Sequence, residues 1–210
     1  MRTMPEKLLD IAEWLARKKI RLARGNENRR IDSTKSHTEI LQLLQKHQPF
    51  NISPYPKAAA GWYSFQVPDG KKNLSVKLKV SSFSRADNLN CKLGIYYALT
   101  GLTPVMSEAT TWDRYFDMLA RNLDEDCEED FYFLVVNRLE PNDIFCNSLK
   151  GLNEIQPNGS NLPFQCKWSD NREPSQRSDQ DATKYILAQF EKSAKLRAEM
   201  LDAYNKHFEA

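Results

Sequence analysis

Apolar residues recur at helical intervals in the first part of the chain. From Pro5 to Arg24 the spacing predicts one amphipathic helix, with the proline suited to its first turn. Gly25 to Ser33 has the composition of a basic loop. A second helix is predicted to begin near Ser36, because Ser36 and Glu39 have the spacing of a capping box.

The stretch from Gly61 to Ser82 predicts a β-hairpin. Pro68-Asp69-Gly70 supplies the tight turn, and apolar residues then alternate with polar ones, which predicts a strand with one polar face. Lys77 and Lys79 lie on that polar face. Two interpretations are open at this point: a solvated edge strand on which the lysines discourage aggregation, or a catalytic strand.

The same rules predict the remaining elements. Ser84 to Asn90 is a turn in which Asp87 caps the next helix. The other predictions, in order, are a helix from Cys91 to Thr100 closed by Gly101, a helix capped by Thr110 or Thr111, a buried central strand from Phe131 to Val136, a short strand from Asp143, a turn at Asn158 to Asn161 that leads into a short apolar and aromatic strand before Trp168, and a closing helix from Asp179 to Ala210. Together they predict one α+β domain with a mixed central sheet of about five strands flanked by α-helices.

Composition narrows the class of protein. The 40% hydrophobic and 28% charged residues are ordinary for a globular domain, and the net charge of +2 excludes a uniformly basic nucleic-acid coat. Basic residues cluster between Arg17 and Arg30, whereas Asp124 to Asp130 is acidic, which fits either one anion-facing surface or a set of solvated helix faces.

Targeting and metal motifs are few. The four cysteines have no zinc-site spacing, and the N-terminus has no apolar signal region. No apolar run approaches the roughly 18 residues that span a bilayer. We therefore expect a reduced, cytoplasmic protein without a membrane partner.

Three stretches resemble type II restriction endonucleases of the PD-(D/E)xK superfamily, in particular the EcoRV and HincII group. The hairpin with VKLKVSS precedes the helix CKLGIYYALTG in the order in which that family places its catalytic strand and packing helix. NGSN at 158–161 stands where the group carries a loop that enters the major groove. FEKSAKLR at 190–197 is similar to its DNA-contacting segment near the C-terminus.

The resemblance implies Mg²⁺-dependent hydrolysis of double-stranded DNA by a homodimer in a bacterial or archaeal cytoplasm. It assigns catalysis to Lys79, with Lys77 beside it and Glu39 as an acid near the metal. Glu39 is also explained as a helix cap, and Asp69 is the second candidate metal ligand. The chain departs from the family pattern at Gly61 and Lys77, where acids are expected. The departure at Lys77 is the more serious one, because a cation cannot ligate Mg²⁺.

DNA recognition is assigned in the same way. Asn158, Gly159, Ser160 and Asn161 are implied to read base edges, for which asparagine amides are suited. Phosphate contacts are assigned to Lys192, Ser193, Lys195 and Arg197, which would fix the register of the protein on DNA. The implied organisation is N-terminal helices over 1–50, a catalytic-type core over 58–152, and the recognition loop with the closing helix over 153–210.

Two further hypotheses belong to other classes. One is a catalytically impaired or inactivated DNA-binding protein on the same scaffold, altered at Gly61 or Lys77. The other is an α+β interaction module that has no nucleic-acid partner, whose charged segments are solvated faces only.

Overall fold

The chain forms five α-helices and eight strands within the part that the structure, a computed structural model, describes: residues 3–20, 22, 29–56, 61–107, 109, 111–161 and 163–208. The helices are α1 (Glu6–Ala16), α2 (Arg29–Lys46), α3 (Lys92–Thr100), α4 (Trp112–Asn122) and α5 (Asp179–Phe208). The strands are β1 (Ser53–Pro54), β2 (Phe65–Asp69), β3 (Lys72–Ser81), β4 (Ala86–Asn88), β5 (Tyr132–Asn137), β6 (Ile144–Ser148), β7 (Gln156–Pro157) and β8 (Phe164–Lys167). None of the described helices is long and apolar enough to cross a bilayer.

The central sheet has the strand order β1-β2-β3-β5-β6. Strand β3 pairs with β5 in parallel, and the other pairs are antiparallel, so the sheet is mixed. The predicted α+β class with a sheet of about five strands is therefore confirmed. The short strand expected before Trp168 is β8, whereas its pairing with β4 and β7 into a second sheet was not predicted, because those two strands contain only two or three residues.

Two hydrophobic clusters lie on opposite faces of the central sheet. Helices α1 and α2 cover one face, where Leu8, Ile40 and Leu78 are buried together. Helices α3, α4 and α5 and the second sheet cover the other face, around Phe133 and Trp168. Any polar side chain of β3 that points to this second face is consequently enclosed between layers.

Local sequence signals fix several of these elements as predicted. The β2–β3 hairpin turns at Gly70, whose φ of 60° favours glycine. Gly101 ends α3 at φ 68°, and the Thr111 hydroxyl caps α4 by accepting from the Arg114 N–H at 3.3 Å. The predicted buried strand is β5, and the closing helix is α5.

The two N-terminal helices differ from their predicted bounds. Helix α1 ends at Ala16 rather than Arg24, although Ile20 and Leu22 are still buried beyond its end. Helix α2 begins at Arg29, so Ser36 lies inside it with a fully buried side chain, and the predicted capping box is wrong. The predicted basic loop is partly helical from residue 29, and its residues 25–28 lie outside the described chain.

Candidate functional site

The two lysines of β3 belong to a central strand. Strand β3 is third of five, and Lys77 and Lys79 pair across to Phe133 and Val135 of β5, which lie in the second hydrophobic cluster. Paired residues point to the same face of a sheet, so both lysines project beneath the layer of α3 and β4. The edge-strand interpretation is therefore wrong.

Lys79 is held by β4. Its ammonium forms an ion pair with Asp87 at 3.2 Å and donates to the carbonyl oxygen of Asn88 at 2.5 Å. The same Asp87 carboxylate accepts from the indole Nε1 of Trp168 at 2.8 Å. Asp87 thus joins the two sheets and does not cap α3, whose N-cap is Cys91. This contact was missed because it depends on the pairing of β4 with β8.

Lys77 contacts the first position at which the resemblance expects an acid. Its ammonium donates to the carbonyl oxygen of Gly61 at 3.1 Å. Burial and the neighbouring Lys79 lower the pKa of Lys77. Gly61 has no room for a side chain, since a Cβ would lie 2.8 Å from the Tyr55 ring and from the Tyr63 carbonyl oxygen.

Ser64 lies beside β3, where the regular ladder of the hairpin ends. The register pairs Phe65 with Val76, and the Ser64 N–H donates to the Val76 carbonyl oxygen at 2.7 Å. Ser64 and Phe65 thus both meet Val76, a departure from the regular ladder of the kind that a β-bulge makes. The tight turn therefore sets the register of the two strands only as far as Phe65.

His37 of α2 contacts Ser64. Its Nε2 lies 2.9 Å from the Ser64 hydroxyl oxygen, which also accepts from the Leu78 N–H at 2.9 Å. Burial and the charge of Lys77 lower the pKa of His37 to about 4, so the imidazole is neutral at pH 7. The direction of the bond between His37 and Ser64 follows the imidazole tautomer, since the serine hydroxyl can donate to Nε2 or accept from it while it accepts the Leu78 N–H.

The predicted acids Glu39 and Asp69 lie apart from this group. Glu39 is exposed and follows His37 by two residues, a rotation of about 200° around α2, so it faces away from the hairpin. Asp69 is the strand partner of Lys72 next to the turn. From there to Lys79, seven residues of extended strand span roughly 23 Å. The structure therefore brings neither acid to the lysines.

The NGSN loop connects the hairpin region to α5. The Asn158 side-chain amide donates to Asn88 at 2.8 Å and to Gln165 at 3.3 Å, and its oxygen accepts the backbone N–H groups of Ser160 and Asn161. Asn158 therefore holds the loop together, and its amide is occupied. Ser160 and Asn161 are exposed and have side chains that can reach a partner.

Gly159 and Ser193 make the loop and helix fit. A Cβ on Gly159 would lie 2.9 Å from the backbone carbon of Leu196, so the glycine allows direct contact with α5. Ser193 is fully buried, accepts from the Asn158 N–H at 3.0 Å and donates to the Gln189 carbonyl oxygen at 3.0 Å. It cannot hold a phosphate in this arrangement.

The remaining predicted phosphate contacts are on the surface of α5. Lys192, Lys195 and Arg197 are all exposed. Lys195 pairs with Glu191 at 2.6 Å, one helical turn away. Gly159 packs against the backbone of Leu196 and Arg197, so the NGSN loop lies next to this part of α5.

The hairpin does not provide a Mg²⁺ site. Mg²⁺ requires several oxygen ligands in octahedral geometry, whereas the nearby oxygens of Gly61 and Ser64 are already hydrogen-bonded beside two ammonium groups. Throughout the described residues, no three Asp, Glu, His or Cys side chains form a metal-binding group. The residues present at the hairpin do not fit the metal that the resemblance implies.

Comparison with known proteins adds no assignment. No family model matches the chain, and no curated protein is significantly similar to it. The resemblance to restriction endonucleases therefore stays a prediction that depends on the motifs alone.

Proposed function

We propose that the chain is a duplex DNA-binding protein on a restriction-endonuclease-like scaffold, acting as a homodimer, in which a lysine pair replaces the metal-binding acids. One observation carries this proposal. Asn158 bonds at once to Asn88, which holds Lys79, and to Ser193 of α5. The three segments that carry the resemblance are thus one connected unit, although the chain separates them widely.

The DNA surface in this proposal is made of exposed groups beside that unit. Ser160 and Asn161 would approach base edges, while Lys192 and Arg197 would contact phosphates. Asn158, Gly159 and Ser193 support the surface from beneath. Sequence preference would consequently depend on the two exposed loop side chains more than on the first asparagine.

Salt dependence of DNA binding tests the proposed phosphate contacts. Each lost phosphate contact lowers the slope of log affinity against log salt concentration by about 1. We therefore expect Lys192→Ala with Arg197→Ala to lower the slope by about 2 on mixed-sequence duplex DNA. Lys35→Ala with Lys46→Ala is the matched control, since both lysines are exposed on α2 across the sheet. Equal slopes for the two double variants would contradict the assignment.

A Mg²⁺-dependent endonuclease is the second candidate, and Lys79 beside Asp87 is the observation that favours it. Incubation of plasmid DNA with Mg²⁺ separates the two. We expect the native chain to leave the plasmid intact, because its hairpin offers ammonium groups where metal ligands are needed. Discrete fragments would refute the non-cleaving proposal and support the nuclease.

A designed variant sharpens that assay. Ser64→Asp with Lys77→Asp would install one carboxylate beside the Leu78 N–H and one on β3, and would keep Lys79, whereas Gly61→Asp would collide with Tyr55. We expect this double variant to nick DNA only when Mg²⁺ is present. The same variant with Lys79→Met is the control and should be inactive.

A further inference from the structure

An open cleft of about 590 Å³ is lined in part by Ser75 of β3, two residues before Lys77, and the DNA-binding surface does not use it. Four aromatic residues form its walls: Tyr55, Trp62, Tyr63 and Tyr97. Their neighbouring ring centroids are 4.6 to 5.4 Å apart, the spacing of packed aromatic pairs. The volume is that of a small-molecule site.

Gly61 is needed to build one wall. The Tyr55 ring lies directly on the Gly61 backbone, at a distance that leaves no space for any other residue. Trp62 is fixed from behind, because its ring stacks on Phe131 at a centroid distance of 5.8 Å. The aromatic walls are therefore held before any ligand binds.

The floor offers directed hydrogen-bonding groups. Gln66 and Ser75 are paired across β2 and β3, and the Gln66 amide donates to the Ser75 hydroxyl oxygen at 3.1 Å. The glutamine carbonyl oxygen is thereby an acceptor and the serine O–H a donor on the same floor. A planar ligand that carries adjacent donor and acceptor groups on one edge would complement this pair of side chains.

The charge that the described residues bring to the cleft is compensated. Among those residues, Lys72 is the one charged residue that lines the cleft, and its ammonium pairs with Glu129, which also accepts from the Tyr97 hydroxyl at 3.0 Å. A cationic ligand would meet Lys72, and an anionic one would compete with Glu129. An uncharged planar ring satisfies both the walls and the floor.

We propose that this cleft binds a nucleobase, stacked against the tyrosine walls and hydrogen-bonded through Gln66 and Ser75. Ser75 and Lys77 point to the same face of β3, two residues or about 7 Å apart. A base in the cleft would thus place its sugar and phosphate on the side of Lys77. The base comes either from a free nucleoside or from a nucleotide unstacked from DNA, and the second source rests on the proposed DNA-binding function.

Free deoxynucleosides test the cleft independently of DNA. Saturation-transfer NMR on the full chain should show contacts to the base protons of deoxynucleosides and none for deoxyribose 5-phosphate. Because stacking of one base on an aromatic side chain contributes substantially to affinity, Tyr55→Ala should weaken binding roughly tenfold or more. Gln66→Leu keeps the side-chain volume at the floor and should also weaken binding. This second variant keeps the test valid if Tyr55→Ala fails to fold.

Phe116→Ala is the matched control, since Phe116 is an exposed aromatic residue of α4 that does not line the cleft. Unchanged nucleoside affinity in both Tyr55→Ala and Gln66→Leu would overturn the proposal. Equal binding of deoxyribose 5-phosphate would overturn it as well.

A duplex that contains one mismatched 2-aminopurine distinguishes the two sources. A rise in its fluorescence with the native chain, lost in Tyr55→Ala, supports capture from DNA. Nucleoside binding without that rise supports a free nucleoside as the ligand. Failure of the chain to bind any duplex would refute the proposed function, and the cleft would still be judged by the nucleoside measurements.

Discussion

The ion pair between Lys79 and Asp87 has a measurable structural role, which Asp87→Ala should reveal. The two side chains are only 11% and 22% exposed, and Asp87 also accepts from the buried Trp168 indole. The variant leaves the indole N–H without its acceptor and the ammonium without its counter-charge. Breaking a buried pair costs about 3 to 5 kcal/mol and an unsatisfied donor about 1 to 3 kcal/mol.

Partial exposure reduces the first of these figures, so we expect the free energy of unfolding to fall by about 3 kcal/mol in total. For a chain of this length the corresponding loss in Tm is about 6 to 12 °C. Urea unfolding followed by circular dichroism measures the free energy of unfolding, and thermal unfolding measures the Tm. Adding Lys79→Met to Asp87→Ala should recover at least about 1 kcal/mol, since it removes the ammonium that has lost its counter-charge.

Asp117→Ala is the control, because the Asp117–Arg121 pair is 63% exposed on both sides. Such surface pairs contribute about 0.2 to 1 kcal/mol. If Asp87→Ala costs no more than this control, the pair does not hold the two sheets together. Lys79 would then be free of a structural role, which would favour its assignment to catalysis.

Two other predictions follow from local geometry. His37 stays neutral in the folded chain down to about pH 4, whereas the unfolded chain binds a proton below about 6.5, so stability present above pH 6.5 is lost toward pH 4. Urea unfolding should show a loss of up to about 1.4 kcal/mol per pH unit, absent in His37→Asn. Gly159→Ala should destabilise by about 1 to 3 kcal/mol through collision with the α5 backbone at Leu196, whereas Ser160→Ala should be nearly neutral in the same assay.

Elements with strong local chemistry could be predicted from the sequence. The hairpin follows from Gly70 and the alternation after it, α3 from its closing glycine, and β5 from its apolar run. Each is decided by residues close together in the chain. The capping box at Ser36 failed for the opposite reason, since the helix continues to Arg29 and the serine is buried by its neighbours in space.

The candidate site was less predictable because its contacts are long-range. Alternation placed Lys77 and Lys79 on a polar face, yet that face is covered by strand β4, which forms only by pairing with β8. The partnership of Lys79 with Asp87 depends on this pairing. Spacing along the chain pointed to Gly61, whereas the contacts of Ser64 with β3 and His37 depend on an irregular pairing that the turn position does not predict.

The distribution of cysteines gives each core layer its own chemical reporter. Cys146 lies in the cluster beneath α1, where its thiol donates to the Leu8 carbonyl oxygen at 3.3 Å, and Cys91 lies in the cluster on the opposite face. Burial raises the pKa of both thiols to about 12, so neither is a reactive thiolate while its layer is closed. A thiol reagent would therefore label each layer only as it opens, and the order of labelling would record which side of the sheet separates first.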